Sequence, residues 1–525
     1  MRESKTCAIG AGMMTETAST AARGTSVFLG QATVTGLLRI INLAVLTRLL
    51  LQDEMGQIAF LGVIYGFMQF LGALGLNHAA PLVVPEEEAK GSLGTVKGFL
   101  RRSACIILVS SSAMAVLVFL LSPFLSSASG VSQSLIQLVL VIAPFSALET
   151  FLDSFLLARY SVRSLTTGRI VFDVARVSAT VGLVLAGMGV AGVMIGWLVG
   201  EVVAVIVFGA AATRRLIVTP VAMNMRTILA FALPSLVFQT IDVTIQNTDR
   251  LILLNLTDLP TLGVFDVFLR LLYMMSLVSL TIAGAVYPLL TRVRLNLQNE
   301  EEQGTAMGSV VVKMVRYILI LLLPVAMFAA INSYVLLEVL FGTSYAAFAN
   351  ATVSFSVLVL SYALWGVVYS IHSVLRSMGE ARFFIIAGLG VIAFEVVGCW
   401  YLTLWLGLMG SAIIRSLYVV LLFLASWGRL RQLGVIGLGS IGVSVVKIGV
   451  ASLIPGLLVG LVAPIGALDL LAWVLVSAVL YPILLFVFRE VEDLDFQMAR
   501  AVLPKRFHGF LEWLQDAYMG EPSSD

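Results

Sequence analysis

Long apolar runs alternate with short polar gaps from residue 25 to residue 488. A helix needs about 20 mostly apolar residues to cross the hydrocarbon core of a bilayer. On that rule the pattern predicts fourteen segments, at 25–47, 55–76, 103–122, 134–156, 168–187, 190–211, 228–254, 261–290, 309–330, 347–372, 383–404, 408–428, 439–461 and 467–488. An even number puts both ends of the chain on one side of the membrane. The longest gap, 77–102, carries Glu86, Glu87 and Glu88, then Lys90 and Lys97, and reads as a solvated loop. Beyond the last segment, residues 490–519 set Phe507, Phe510, Leu511, Trp513 and Leu514 among charges, a pattern that suggests a helix lying in the interface.

The positions of Lys and Arg orient these segments, because loops on the cytoplasmic side keep basic residues and translocated ones shed them. With the amino terminus inside, the tails and even-numbered gaps hold 22 Lys and Arg, and the odd gaps hold only Arg48. A wrong helix number would scramble that alternation, so fourteen helices with both termini cytoplasmic in the cell membrane is the expectation. Composition agrees: 59% of the 525 residues are hydrophobic and 12% charged, about half the charged share of a soluble domain. The net charge of +2 gives no general attraction for nucleic acid. Cys7, Cys105 and Cys399, like His78, His372 and His508, are too scattered to form a metal set or a disulfide framework, so no metal and no cofactor is expected. Residues 1–24 read as a polar cytoplasmic tail and not as a signal peptide.

Internal repetition gives the domain organisation. LTRLLLQDEMGQIAF at 46–60 is echoed by TDRLILLNLTDLPTLGVF at 248–265, which sets Arg48 on Arg250 and Gly56 on Gly263. LLARYSVR at 156–163 and GMGVAGVMIG at 187–196 are echoed by VLRSMGEAR at 374–382 and LGLMGSAII at 406–414. Both echoes fall six helices apart and in the same order. They predict an all-α membrane protein with a six-helix bundle at 25–211, a second at 228–428 and two further helices within 439–488, followed by a cytoplasmic tail at 489–525.

The chain resembles the polysaccharide transporters and O-antigen flippases of the multidrug/oligosaccharidyl-lipid/polysaccharide exporter superfamily over nearly its whole length. The resemblance is carried by ALPSLVFQTIDVTIQNTDRLILLNL at 232–256, LGVFDVFLRLLYM at 262–274 and YPLLTRV at 287–293, together with LTRLLLQDEMGQIAF, ALGLNHAAPLVV at 73–84 and FGTSYAAFA at 341–349. It implies alternating-access movement of a lipid-linked oligosaccharide, on a polyprenyl or dolichyl phosphate or pyrophosphate carrier, for surface polysaccharide or glycan assembly. Membrane lipids, a coupling proton or sodium ion, and the glycosyltransferases and polymerase of the same pathway would be its partners.

A phosphate headgroup and its sugars need a polar, cation-lined path through the membrane. Arg39 and Arg270 lie eight to nine residues from the outer ends of their segments, roughly 12–14 Å deep at about 1.5 Å per residue. Facing lipid there costs at least ~2.5 kcal/mol, so each is expected to face a cavity or a partner. Asp266 is a ready partner for Arg270 at i−4, while no acidic residue shares a helix with Arg39. Arg250 beside Asp249 reads as a gate or an interhelical pair as readily as a substrate contact, and Lys447 as lining for a lipid-tail groove. Central acids without a basic neighbour on their own helix, Glu201 and Asp242, are candidates for coupling, with Asp249 and Asp266 for coupling or gating. Asp153 with Arg176, and Glu395 with Arg415, are expected as structural pairs.

Two other functions compete. A cation-coupled multidrug exporter of the same superfamily typically has twelve helices and an acidic cavity, against which the extra helices and Arg39, Arg250 and Arg270 argue. A membrane glycosyltransferase or polymerase needs an aqueous catalytic face, and the longest outer gap, 331–346, offers only Glu338. A transporter, and not an enzyme, is the reading that remains.

Overall fold

The computed structural model describes residues 30–491 apart from 32, 160, 215, 222, 297–299, 436–440 and 463–465, with isolated positions between 496 and 518; for 281–303, 225, 227, 231, 381 and 441 it describes backbone only. The tail at 1–24 and most of 490–519 lie outside the described residues. Every regular element among them is helical. Helix α1 covers 33–49. It is followed by α2 (Gln52–Gly72), α3 (Leu76–Ala89), α4 (Leu93–Ser129), α5 (Gln133–Ala158), α6 (Val162–Leu183), α7 (Gly189–Thr213), α8 (Met225–Leu256) and α9 (Leu259–Asn296). Then come α10 (Glu300–Ile331), the short α11 (Ser333–Phe341) and α12 (Thr343–Ala346), α13 (Ala351–Ser377), α14 (Ala381–Leu406), α15 (Leu408–Gln432), α16 (Ile441–Val462) and α17 (Ala467–Val487).

Among the described residues twelve helical stretches are long and apolar enough to cross a membrane. That is two fewer than the fourteen expected, for two visible reasons. The unbroken described part of α1, 33–49, is shorter than a span. The stretch Val162–Thr213 counts once although it doubles back through a π-helical turn at Val184–Met188, where Gly187 sits at φ 86°. Gly192, Gly196 and Gly200 then recur every four residues, where an added Cβ would run into Leu183, Thr180 and Arg176 of α6. Small residues at that spacing let two helix backbones approach, which makes α6 and α7 a tight hairpin.

The 77–102 segment is not the solvated loop its glutamates suggest. Gly75 at φ 75° turns the chain, and α3 buries Leu76, Ala79, Ala80, Val83 and Val84 against α5 and α8. Those positions follow the i, i+3, i+4, i+7 rule of an amphipathic helix. Helix α4 begins at Leu93, so only residues 90–92 remain as a connection. The 331–346 gap is likewise helical, as α11 and α12.

Contacts between connections define two ends of the bundle. At the basic end Lys97 donates to the Val218 carbonyl and Arg102 to that of Met223. Arg159 pairs with Glu88 at 2.6 Å and Arg429 with Glu380 at 2.9 Å. At the opposite end Arg48 donates to the Val339 carbonyl at 2.6 Å and Gln52 to that of Ser344 at 2.7 Å. There α2 and α9 touch backbone to backbone: a Cβ on Gly56 would strike the carbonyl of Leu259, and one on Gly263 the carbonyl of Gln52. These are the two glycines that the sequence repeat aligns. Gly189 (φ 51°, ψ −133°) and Gly407 (φ 53°, ψ −126°), one in each segment of the second echo, also share one backbone conformation at the heads of α7 and α15.

Apolar burial follows this frame. One core cluster fills α3 to α7 with the start of α8, and a larger one runs from α2, α5 and α7 through α9, α10 and α13 to α16. Outside these, α4, α14 and α17 present Val109, Leu120, Phe124, Trp405, Leu475 and Val479 openly, an apolar surface suited to lipid and not to water.

Candidate functional site: arginines inside the bundle

Helices α8 and α9 bring two arginines to one carboxylate. Arg250 Nε lies 2.9 Å from Asp266 Oδ1, and Arg270 Nε donates to Asp266 Oδ2 at 2.5 Å. Arg250 is fixed further by donating to the Gln246 carbonyl and to Asn247 Oδ1 at 2.9 and 3.1 Å. Two guanidiniums on one carboxylate leave a surplus positive charge, and Arg270, with its side chain 30% exposed, carries the accessible part of it. The side chain of Arg270 also reaches α7, its guanidinium 5.9 Å from the Trp197 ring centre.

A second arginine shares that ring. Arg176 of α6 stands 4.7 Å from the Trp197 centre and 5.7 Å from that of Phe172. Among the described residues it has no carboxylate at ion-pairing distance and no hydrogen-bond acceptor. The expected Asp153–Arg176 pair is therefore absent. Asp153 instead takes a bidentate bond from Arg169, at 2.7 and 2.8 Å, because Arg169 stands nearer the α5–α6 connection and so at the level of Asp153.

Arg39 approaches from α1, where a Cβ added at Gly36 would come within 3.9 Å of Leu277 on α9, while Arg39 Nε and Nη2 donate to the two oxygens of Asp173 on α6, each at 3.2 Å. The Arg39 side chain remains 44% exposed while Asp173 is buried. An arginine half open on a helix of this bundle is far cheaper facing water or a polar ligand than facing lipid. Tyr65 of α2 donates to Glu201 Oε1 at 2.6 Å and packs tilted against Trp197, ring centres 5.3 Å apart, and Glu201 Oε2 has no hydrogen-bond partner among the described residues. Asp242 is exposed on α8 and accepts a bond from Gln246 at 2.8 Å.

Two expected residues sit elsewhere. Asp249 does not join Arg250 as an ion pair; it binds Arg415 of α15 at 2.5 Å, and Glu395, expected as the partner of Arg415, has neither oxygen hydrogen-bonded. Lys447 lies 3.7 Å from Glu490 and donates to the Arg489 carbonyl, beside the buried Arg316–Glu490 pair at 3.2 Å, so it helps tie α16 and the segment after α17 to α10. Near the basic end, Lys90 donates to Glu86 and Glu87, whose carboxylates hold its ammonium above the usual lysine range. Among the described residues no group of His, Cys, Asp and Glu forms a metal cluster.

The structure thus joins Arg250 and Arg270 on Asp266, connects Arg270 to Glu201 through Trp197 and Tyr65, places Arg39 on Asp173, and commits the Asp249 carboxylate to Arg415 and Lys447 to Glu490. Sequence reasoning missed Arg176 and Trp197. Their signal was present as RIVFDVAR and GWLVGE, an arginine one turn beyond an aspartate on α6 and a tryptophan one turn before Glu201 on α7. Charge alone suggested the wrong partner. Chemically the group offers guanidinium donors and exposed positive charge, a set suited to a phosphate or carboxylate ligand.

Comparisons with known proteins agree with this architecture. The family model described as polysaccharide biosynthesis protein matches residues 45–350. No curated protein sequence matches the chain. Among solved structures, the lipid II flippase MurJ in an inward closed conformation superposes with a TM-score of 0.69 at 12% identity, covering 89% of this chain and 99% of that one. An inward-facing multidrug resistance MATE family transporter of the MOP superfamily gives 0.54 at 14% identity, with 78% and 98% covered. The Vibrio cholerae MATE transporter VcmN in its bent form gives 0.51 at 14% identity, with 80% and 99% covered. At these identities the likeness is one of fold.

Proposed function

The chain belongs to the polysaccharide biosynthesis protein family, and we propose that it is a flippase that moves a lipid-linked oligosaccharide across the cell membrane by alternating access. One observation carries this reading: Arg176 and Arg270, from different helices, meet at Trp197 deep in the bundle, and among the described residues Arg176 forms no ion pair. A cation kept open there, with Arg39 half exposed nearby, suits the phosphate or pyrophosphate of a polyprenyl or dolichyl carrier. The sugars would occupy the same polar interior and the lipid tail would remain in the bilayer.

The family match and the lipid II flippase fold support this assignment. The multidrug exporter alternative shares the fold, but an organic cation would meet repulsion at Arg176 and Arg270. The arrangement we infer for the work is two six-helix bundles, 25–211 and 228–428, that rock against each other, with the α2–α9 contact closing one end. The termini would be cytoplasmic, and a proton or sodium ion is the expected drive, with the glycosyltransferases and polymerase of the pathway acting before and after.

The test is transport in reconstituted vesicles with a fluorescent polyprenyl diphosphate oligosaccharide, read by quenching of the outer leaflet. Arg39→Ala, Arg176→Ala and Arg270→Ala should each insert normally and lose at least tenfold in rate. Full activity of all three would overturn the assignment.

A further inference from the structure

The bundle contains a second charged group that the proposed substrate path does not use. Helix α14 packs between α8 and α15. Gly388 of α14 meets Ile241 of α8, and Gly398 meets Ile414 of α15. Glu395, two turns on from Gly388, therefore stands at the level of Asp249 on α8, and less than a turn from Gly398 it stands beside Arg415 and Tyr418 on α15. Glu395 is fully buried, Asp249 equally so, and the Arg415 side chain is only 6% exposed.

Bonding within this group is uneven. Arg415 Nη1 donates to Asp249 Oδ2 at 2.5 Å and Nη2 to the Tyr362 hydroxyl at 3.3 Å, while Asp249 Oδ1 accepts the Arg250 backbone N–H at 2.8 Å. Arg415 Nε has no acceptor, and neither oxygen of Glu395 has a donor. One donor and one carboxyl are thus unused in the same dry place. The groups facing Glu395 are Asp249 and Arg250 on α8, Arg415 and Tyr418 on α15 and Cys399 on its own helix, with Tyr362 of α13 on the far side of Arg415. Arg250 is already engaged by Asp266.

With Arg250 bonded to Asp266 and Arg415 to Asp249, a second ionised carboxylate here would have no cation bonded to it, in a medium that tolerates such a charge poorly. A carboxylate with no hydrogen bond at all is costlier still. We propose that Asp249, Arg415 and Glu395 form a one-proton exchange site, in which Arg415 bonds whichever carboxyl is ionised and the other carries the proton. In the conformation described Glu395 holds the proton. In the alternative one Glu395 releases it to water, Asp249 takes one up, and Arg415 breaks its bond to Asp249 and makes one to Glu395. Arg415 keeps its charge throughout, and each state sums to zero. Because the carboxyls sit on α8 and α14 and the arginine on α15, the exchange ties proton movement to small shifts among these helices.

The experiment needs no substrate, so its outcome is separate from that of the flippase assignment. Infrared difference spectra of the purified full-length protein in lipid report protonated carboxylic acids through their carbonyl stretch. Wild type minus Glu395→Gln should show the loss of one such band, since the amide replaces a neutral group of equal size and the fold is kept. Asp249→Asn leaves Arg415 with Glu395 alone, so the same band should vanish there too as Glu395 ionises. Identical spectra for wild type and Glu395→Gln, or persistence of the band in folded Asp249→Asn, would overturn the proposal.

Discussion

Replacing Gly56 by alanine places a methyl group on the Leu259 carbonyl, and the obstacle is backbone, which has no rotamer to yield. Helices α2 and α9 have to separate for the methyl to fit. Inserting a methyl into a closed contact costs about 1–3 kcal/mol, and here the cost falls only on the conformation in which the opposite end is shut. A conformation with α2 and α9 parted carries none of it. A bias of about 1–3 kcal/mol corresponds to roughly 5- to 150-fold in population. The assay is a spin-label distance between Leu51 and Tyr334, both exposed at the opposite end and on either side of the contact, in a background lacking the three cysteines. Gly56→Ala, and equally Gly263→Ala against the Gln52 carbonyl, should move the distribution to a longer distance. An unchanged distribution in a folded variant would refute the idea that this contact is the seal.

Arg316→Ala leaves the buried Glu490 carboxylate with only the more distant Lys447, both partners of the lost pair being under 5% exposed, and should cost up to about 3–5 kcal/mol; thermal unfolding in detergent would show it, with Glu490→Gln milder. Gly407→Ala forces a Cβ into φ 53°, ψ −126°, a conformation worth about 1–3 kcal/mol of strain, and a melting temperature equal to wild type would contradict the assigned turn. For topology, a cysteine at residue 95 should be shielded from an impermeant outside reagent and one at 128 should react; the reverse pattern inverts the orientation.

How far the sequence reached can be traced residue by residue. Spans were legible because each long apolar run reports its own burial, and Gly56 and Gly263 were legible as equivalents because the repeat preserves them. Helix α3 was not, since Leu76, Ala79, Ala80, Val83 and Val84 make a buried stripe on a segment that charge counting classes as loop. The Asp266–Arg270 pair followed from i,i+4 spacing within one helix. Arg39–Asp173 and Asp249–Arg415 join residues far apart in the chain, and their pairing depends on how each helix is rotated and which neighbours it meets. Spacing along one helix carries no information about that. Arg176 shows the same limit from the other direction: an acid at similar depth was visible in the sequence, but Arg169 had already taken it.

Arg176 is also where the account is most exposed. In vesicles carrying a fluorescent polyprenyl diphosphate oligosaccharide, Arg176→Ala should cut translocation at least tenfold, and Arg176→Lys should restore part of it by returning the charge without the planar donors. Binding of the same lipid to Arg176→Gln should weaken in parallel. Wild-type translocation and binding in Arg176→Ala, with Arg270→Ala equally silent, would contradict the claim that these arginines receive an anionic lipid headgroup.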